Sequence, residues 1–532
     1  MHVRTFMVIA LVAASFACSR EVGESRSPAP TEFELDELTV AQLQDAITSG
    51  RYTSRRLVEL YLQRIAQIDA AGPRLRSVIE INPDALAIAD ALDAERKAKG
   101  SRGPLHGIPV LIKDNIDTGD KMLTTAGSLA LVGGPAPRDA FVVERLRAAG
   151  AVLLGKTNLS EWANIRSPRS TSGWSARGGL VKNPYVLDRN ACGSSSGTGA
   201  AIAASLAAVG VGTETDGSVV CPSSVAALVG IKPTIGLVSR SGIVPIAHSQ
   251  DTAGPMTRTV TDAAVLLNAM AGADSRDPAT SSAPAAREDY TAALKTTALQ
   301  GARIGVARAQ YFGYSPPADS VIDAAIAEMK AHGATIVDPA DIATAARLDA
   351  CEIEVLLYEF KADLNTYLAT RGTTSAASTL TDLIAFNERE RAREMPYFGQ
   401  ELFVRAEAKG PLTAPEYVAA SQLCRRLAGE QGIDAVMTMH RLDALVVPTL
   451  GPAWPTDLQN GDHITGGGST PAAIAGYPSI TVPAGWAGEL PIGLLFMGRA
   501  WSESRLIGLA FAYEQATKHR RPPKFLPTIP FD

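Results

Sequence analysis

The sequence predicts an α/β fold, with a mixed, mostly parallel central sheet covered by helices on both faces. Three observations carry this expectation. Short apolar segments of strand character recur at residues 110–112, 151–154, 304–307, 335–337, 444–447, 480–482 and 494–497, and helix-like stretches such as 140–149 separate them. The first, within Ile108-Pro109-Val110-Leu111-Ile112, is apolar without alternation, as in a strand buried on both faces. Hydrophobic residues make up 46% of the 532, enough to bury a large core. Length alone would suggest three or four domains.

The chain opens with a basic residue, Arg4, an apolar run from Phe6 to Ala14, and Ser15-Phe16-Ala17. This is the pattern of a secretory signal peptide over residues 1–17, with a run too short to span a membrane. Cleavage after Ala17 leaves Cys18 first, where a lipid anchor can be attached, although Ser15 and Phe16 match a bacterial lipobox poorly. Residues 18–35, polar and containing Ser and Pro, then read as a leader or tether. From Asp36 the pattern turns helical. Thr39-Val40-Ala41-Gln42 is a capping box, and Thr53 caps a helix with Leu57, Leu60, Tyr61, Ile65 and Ile68 on one face. A further helix runs from about residue 83 to 97 and stops at Gly100. Residues 273–287 and 372–381 read as surface loops, and the Glu- and Arg-rich stretch 388–405 as a solvated helix face near a cleft wall.

Glycine and hydroxyl side chains concentrate between Gly193 and Pro222. Gly193-Ser194-Ser195-Ser196-Gly197-Thr198-Gly199 leads into a helix-like alanine run, 200–208, and a second tight turn follows at Gly212-Thr213-Glu214-Thr215-Asp216-Gly217-Ser218. Such turns bring backbone N–H groups and hydroxyls to one rim, where an anion or a transient oxyanion can be held. A phosphate loop would need a Gly-Lys-Ser/Thr ending or a Gly-x-Gly-x-x-Gly opening, and neither is present. No Gly-x-Ser-x-Gly elbow supports a Ser-His-Asp triad. Two readings stay open from these residues alone: a flexible Gly/Ser linker, and a hydrolase whose serine nucleophile works without histidine. Upstream, the 108–112 strand ends on Lys113-Asp114-Asn115. A lysine there either snorkels to the surface or is buried with a lowered pKa.

Lys113, the 193–199 loop and the Thr215-Asp216-Gly217-Ser218 turn together resemble the amidase signature family of serine hydrolases. The resemblance extends from about Leu38 to about Arg521 and includes Gly155-Lys156-Thr157-Asn158, Gly230-Ile231-Lys232-Pro233-Thr234 and Pro491-Ile492-Gly493. It implies one large amidase domain over 36–532, with Ser218 as nucleophile, Ser194 on a cis peptide bond as bridging serine, and Lys113 as base. Thr215, Asp216 and Gly217, with Ser218, would supply the oxyanion hole. It implies no cofactor and no metal. Cys192 and Ser196 stand where family glycines are usual, and Val220 where an arginine commonly follows the nucleophile. These departures, with Gly236-Leu237-Val238-Ser239-Arg240 and Ser249-Gln250-Asp251-Thr252, resemble a subgroup, the bacterial peptide amidases, which deamidate C-terminal carboxamides of peptides.

Composition bounds the rest. A net charge of −5 and a pI near 5.9 give no basic face for nucleic acid. Seven histidines are scattered without zinc-ligand spacing, and His106 reads as structural. Five cysteines make no disulfide scaffold; export would permit a pair among Cys192, Cys221, Cys351 and Cys424, and Cys192 and Cys221 read as small packing residues near the site. Gly466-Gly467-Gly468-Ser469-Thr470-Pro471 is either a cleft-lining turn or a tight connection before a helix. The expectation is an exported, periplasmic or envelope-associated bacterial amidase for peptide C-terminal amides, of open oligomeric state. The alternatives are an amidase for small or acyl amides, a component of a tRNA transamidase, which an export signal opposes, and a non-catalytic envelope binding lipoprotein.

Overall fold

The computed structural model describes residues 33–284 and 288–529. The signal-peptide segment 1–17, Cys18 and the leader as far as residue 32 lie outside the described residues. Phe33 packs edge-on against Tyr61, and Leu35 is buried in the core. The strands are β1 (Val78–Ile81), β2 (Pro109–Lys113), β3 (Val152–Thr157), β4 (Trp174–Ser175), β5 (Gly179–Leu180), β6 (Val209–Glu214), β7 (Val229–Lys232), β8 (Thr252–Thr257), β9 (Arg303–Val306), β10 (Thr335–Val337), β11 (Ala444–Pro448), β12 (Ser479–Ala487) and β13 (Leu490–Met497). Eleven form one sheet, in the order β1-β3-β2-β6-β8-β7-β12-β13-β11-β9-β10, while β4 pairs only with β5.

The sheet is mixed, but parallel pairing is the minority. It is confined to β3-β2-β6 at one side and β11-β9-β10 at the other. The stretch from β6 to β11 and the edge strand β1 pair antiparallel. Only Gly488-Glu489 joins β12 to β13, with Gly488 at φ +62°, and so short a link admits antiparallel pairing alone. β6 (VGVGTE) and β8 (TAGPMT) carry glycine or proline inside the strand, so β8 has no strand signal and the end of β6 reads as a turn.

One core cluster runs from Leu35 to Tyr513, so the described chain is a single domain, with satellite clusters around the helix Leu348–Arg371. Helices Val260–Met270, Pro316–Ala331 and Glu503–Thr517 pack against the sheet. At the N-terminus the capping box on Thr39 and Gln42 forms, Thr53 caps Ser54–Arg64, and Gly100 ends Ala85–Lys99. Residues 273–284, expected as plain surface loop, carry buried Asp274 and Asp277, which hold Arg276 and Arg240. The alanine run is helical only over Ser196–Ala203, and Ser205 turns the chain at φ 55°.

That short helix sets the position of the serine loop. Gly197 donates its N–H to the Asn158 carbonyl, and a Cβ there would press on the carbonyls of Asn158 and Ser77. No small shift relieves backbone contacts on two segments. Gly197→Ala should therefore lose about 2–3 kcal/mol of stability, read as a lowered urea midpoint.

Candidate active site

Because β2 is interior to the sheet, the lysine at its end is carried inside rather than to the surface. Lys113 is fully buried, and its Nζ lies 2.7 Å from Ser194 Oγ, 2.9 Å from Thr213 Oγ1 and 3.2 Å from the Thr213 carbonyl. Asn115 Nδ2 donates to the same Thr213 hydroxyl at 2.9 Å, fixing it. Among the described residues no carboxylate touches the amine. Burial lowers its pKa to about 7, against the weaker pull of Asp251 and Glu214. A neutral amine has a lone pair, so it can accept the Ser194 hydroxyl proton.

The two glycine turns are stitched to each other. The Gly193–Ser194 peptide is cis, as the family resemblance implies. The Ser195 N–H donates to the Ser218 carbonyl at 3.1 Å, and Ser195 Oγ donates to the Thr213 carbonyl at 3.0 Å. Glu214 Oε2 accepts from the N–H groups of Val219 (2.7 Å) and Val220 (3.0 Å), which anchors the chain just beyond Ser218. Burial raises the Glu214 carboxyl, and Lys232 opposes that rise. Asp251 Oδ1 accepts from Thr215 Oγ1 at 2.6 Å, and burial pushes Asp251 to about 6.

Between these anchors the backbone N–H groups of Thr215, Asp216, Gly217 and Ser218 donate to no other group among the described residues. Gly217 makes the turn at φ +74°. The Ser218 hydroxyl, 8% exposed as a residue, likewise has no intramolecular partner among the described residues. Free donors around a free hydroxyl form a site able to stabilise a tetrahedral oxyanion.

Ser218 opens into a cleft of about 340 Å³ lined by Ile165, Ile246, Leu356, Leu450 and the glycine rim Gly466-Gly467. The 466–471 segment is thus a cleft wall. Among the described residues no lysine or arginine lines this cleft, and Asp216 contributes its charged side chain. A larger cavity of about 710 Å³ adjoins it across Ala163, Thr215 and Ile246, and is lined by Asn115, Asp251 and Arg240 among others. The group among the described residues with metal-ligand proximity, His248, Glu359 and Asp363, sits beside that second cavity. Its atoms are already engaged: His248 Nδ1 lies 2.9 Å from Asp363, and Glu359 accepts from Tyr417 and the Ser249 N–H.

The structure corrects the reading of the cysteines. Cys192 and Cys221 are not packing residues but a disulfide, with Cα atoms 6.0 Å apart, and Cys351 and Cys424 form a second, with Cα atoms 5.7 Å apart. The first ties the residue before Gly193-Ser194 to the third residue after Ser218, and both its cysteines line the cleft.

Lys113, Ser194 and the 215–218 turn are thus brought to one place. Gln250 and Glu352, which pack under that turn, carry no role on sequence grounds; Gln250 falls within the Ser249-Gln250-Asp251-Thr252 motif, and Glu352 has no signal at all. The amidase family pattern matches residues 56–507. The chain belongs to the amidase signature family. A probable amidase of Arabidopsis thaliana is 43% identical over 504 residues, covering 93% of each chain. A putative amidase of Arthroderma benhamiae is 40% identical over 534 aligned positions, covering 92% of this chain and 87% of that one. The solved peptide amidase of Stenotrophomonas maltophilia is 51% identical, with a TM-score of 0.88, covering 93% of this chain and all of that one. This amidase is accordingly a hydrolase of carbon–nitrogen bonds.

Replacing both Cys192 and Cys221 by serine should cost about 2–4 kcal/mol, measured by urea unfolding, because the open chain gains entropy when the cross-link is lost.

Proposed function

We propose that this amidase removes ammonia from C-terminal carboxamides of peptides, through a Ser218–Ser194–Lys113 relay and an acyl-enzyme. The observation that carries this reading is the 2.7 Å contact of a buried, near-neutral Lys113 with Ser194 Oγ. Neutral Lys113 takes the Ser194 hydroxyl proton, Ser194 takes the proton of Ser218, and Ser218 Oγ attacks the amide carbon. The N–H groups of Thr215, Asp216, Gly217 and Ser218 hold the oxyanion. As the intermediate collapses, the proton returns through Ser194 to the leaving nitrogen, and ammonia departs. Water then attacks the ester by the same relay, freeing the peptide acid.

The substrate class rests on the cleft and on likeness to an enzyme called peptide amidase. A cleft with apolar walls and no cation suits an uncharged carboxamide joined to a longer chain. Its apolar lining also favours a second reading, small or acyl amides. A nucleic-acid role draws no support from a net charge of −5. Export to an oxidising compartment fits the 1–17 pattern and the two disulfides, and Cys18 would be the site of any lipid anchor. A binding protein without activity would have no physical need for a buried lysine without a carboxylate partner.

Ammonia release should be measured from blocked peptide amides beside aryl and fatty-acyl amides. Preference for the peptide amides, lost at least a thousandfold (~10³) in Ser218→Ala, is expected. Turnover confined to the small or acyl amides would overturn the peptide assignment and leave the relay. The base must be neutral to act, so kcat/KM should rise with pH through about 7, the range in which Lys113 loses its proton. Lys113→Ala should lack that rise.

A further inference from the structure

The helix Leu348–Arg371 brings Glu352 against the oxyanion turn. Glu352 Oε1 accepts from Gln250 Nε2 at 2.7 Å, and Gln250 in turn reaches Thr215, the residue before Asp216, so the Glu352 and Asp216 carboxyls are neighbours. On its other side Asp216 is held by Thr470 Oγ1, which donates to Oδ2 at 2.6 Å. Asp216 Oδ1 is buried and has no ordinary donor among the described residues. Two ionised carboxylates so placed repel, and a buried oxygen left without a donor is costly. One proton held between the two carboxyls removes both penalties.

Gln250 extends this arrangement to the backbone. Its Nε2 also lies 3.5 Å from the Thr215 carbonyl. The Thr215 C=O and the Asp216 N–H belong to one planar trans peptide and point opposite ways. A donor on that carbonyl therefore turns the Asp216 N–H away from Gln250, toward the side where an oxyanion would form.

We propose that Glu352 and Asp216 share one proton beneath the oxyanion turn, and that Glu352, with Gln250, is a positioning residue for the reaction. The inference rests on the reading of Ser218 as nucleophile. With the proton in place the pair carries one negative charge; without it, a second charge stands beside the forming oxyanion. The groups facing the pair are Asp349 on the same helix, Lys232 at the end of β7, Glu214 at the end of β6, and the Tyr311 phenol. Burial, reinforced by Asp216, holds the Glu352 carboxyl well above the ordinary carboxylate range, which favours keeping the proton on the pair. Activity should then fall on the alkaline side for a reason separate from Lys113.

The test is kcat/KM against pH on a blocked peptide amide, for the parent, Glu352→Gln and Glu352→Ala, with fluorophosphonate labelling of Ser218 as an independent readout. The parent should show a bell, its acid limb near pH 7. Glutamine cannot ionise, but its oxygen still accepts from Gln250 and its amide donates to Asp216, so Glu352→Gln should lose the alkaline limb and keep the acid one. Glu352→Ala should lose about tenfold or more in kcat with KM changed less than about threefold. An alkaline limb unmoved in a Glu352→Gln variant that still labels would overturn this proposal alone, as would a parent profile flat to about pH 10. Absence of labelling in folded parent would overturn the reading of Ser218 and this proposal with it.

Discussion

An amine buried without a countercharge in contact among the described residues is the constraint on which the site depends. Among the described residues Lys113 has no carboxylate in contact, only hydroxyls and a carbonyl around its amine. In water such an amine is protonated up to about pH 10; inside the sheet it is most stable when neutral. The fold supplies that condition by placing β2 inside the sheet, between the parallel neighbours β3 and β6, with every residue of the strand buried. β6 in turn supplies Thr213, which orients the amine, and runs straight into the turn that presents Ser218.

The remaining polar residues around the turn act as supports. Glu214 holds the N–H groups after Ser218, Ser195 holds the Ser218 carbonyl, and Asp251 holds the Thr215 side chain. What these contacts leave unbonded is a continuous set of N–H groups from Thr215 to Ser218. Pre-aimed donors need no reorganisation when charge develops. The Cys192–Cys221 bond closes the same frame covalently.

Much of the site was legible because its chemistry is local. The strand ending on Lys113 and the glycine turns holding Ser194 and Ser218 could be located from their immediate neighbours, while the roles expected of these residues came only with the family resemblance. The helix starts at Thr39 and Thr53 were readable for the same reason, since a cap involves three or four consecutive residues. Strand pairing was not: β6 and β8 are glycine- or proline-bearing strands whose pairing is set by the sheet. The disulfide partners were equally hidden, because nothing near Cys192 points to Cys221. Glu352 sits in a helix that reads as ordinary, and only its contact with Gln250, 102 residues earlier, gives it meaning.

Those separations bear on how the molecule comes into being. Lys113 meets Thr213 across 100 residues, and Asp216 meets Thr470 across 254. Long-range contacts form late, after the entropy of closing large loops has been overcome, and chains dominated by them fold slowly. The hydroxyls and the amine come together only when β2 has paired with β6. A fragment holding all three of Lys113, Ser194 and Ser218, but ending before Ser469-Thr470, would lack the far wall against which the turn is set.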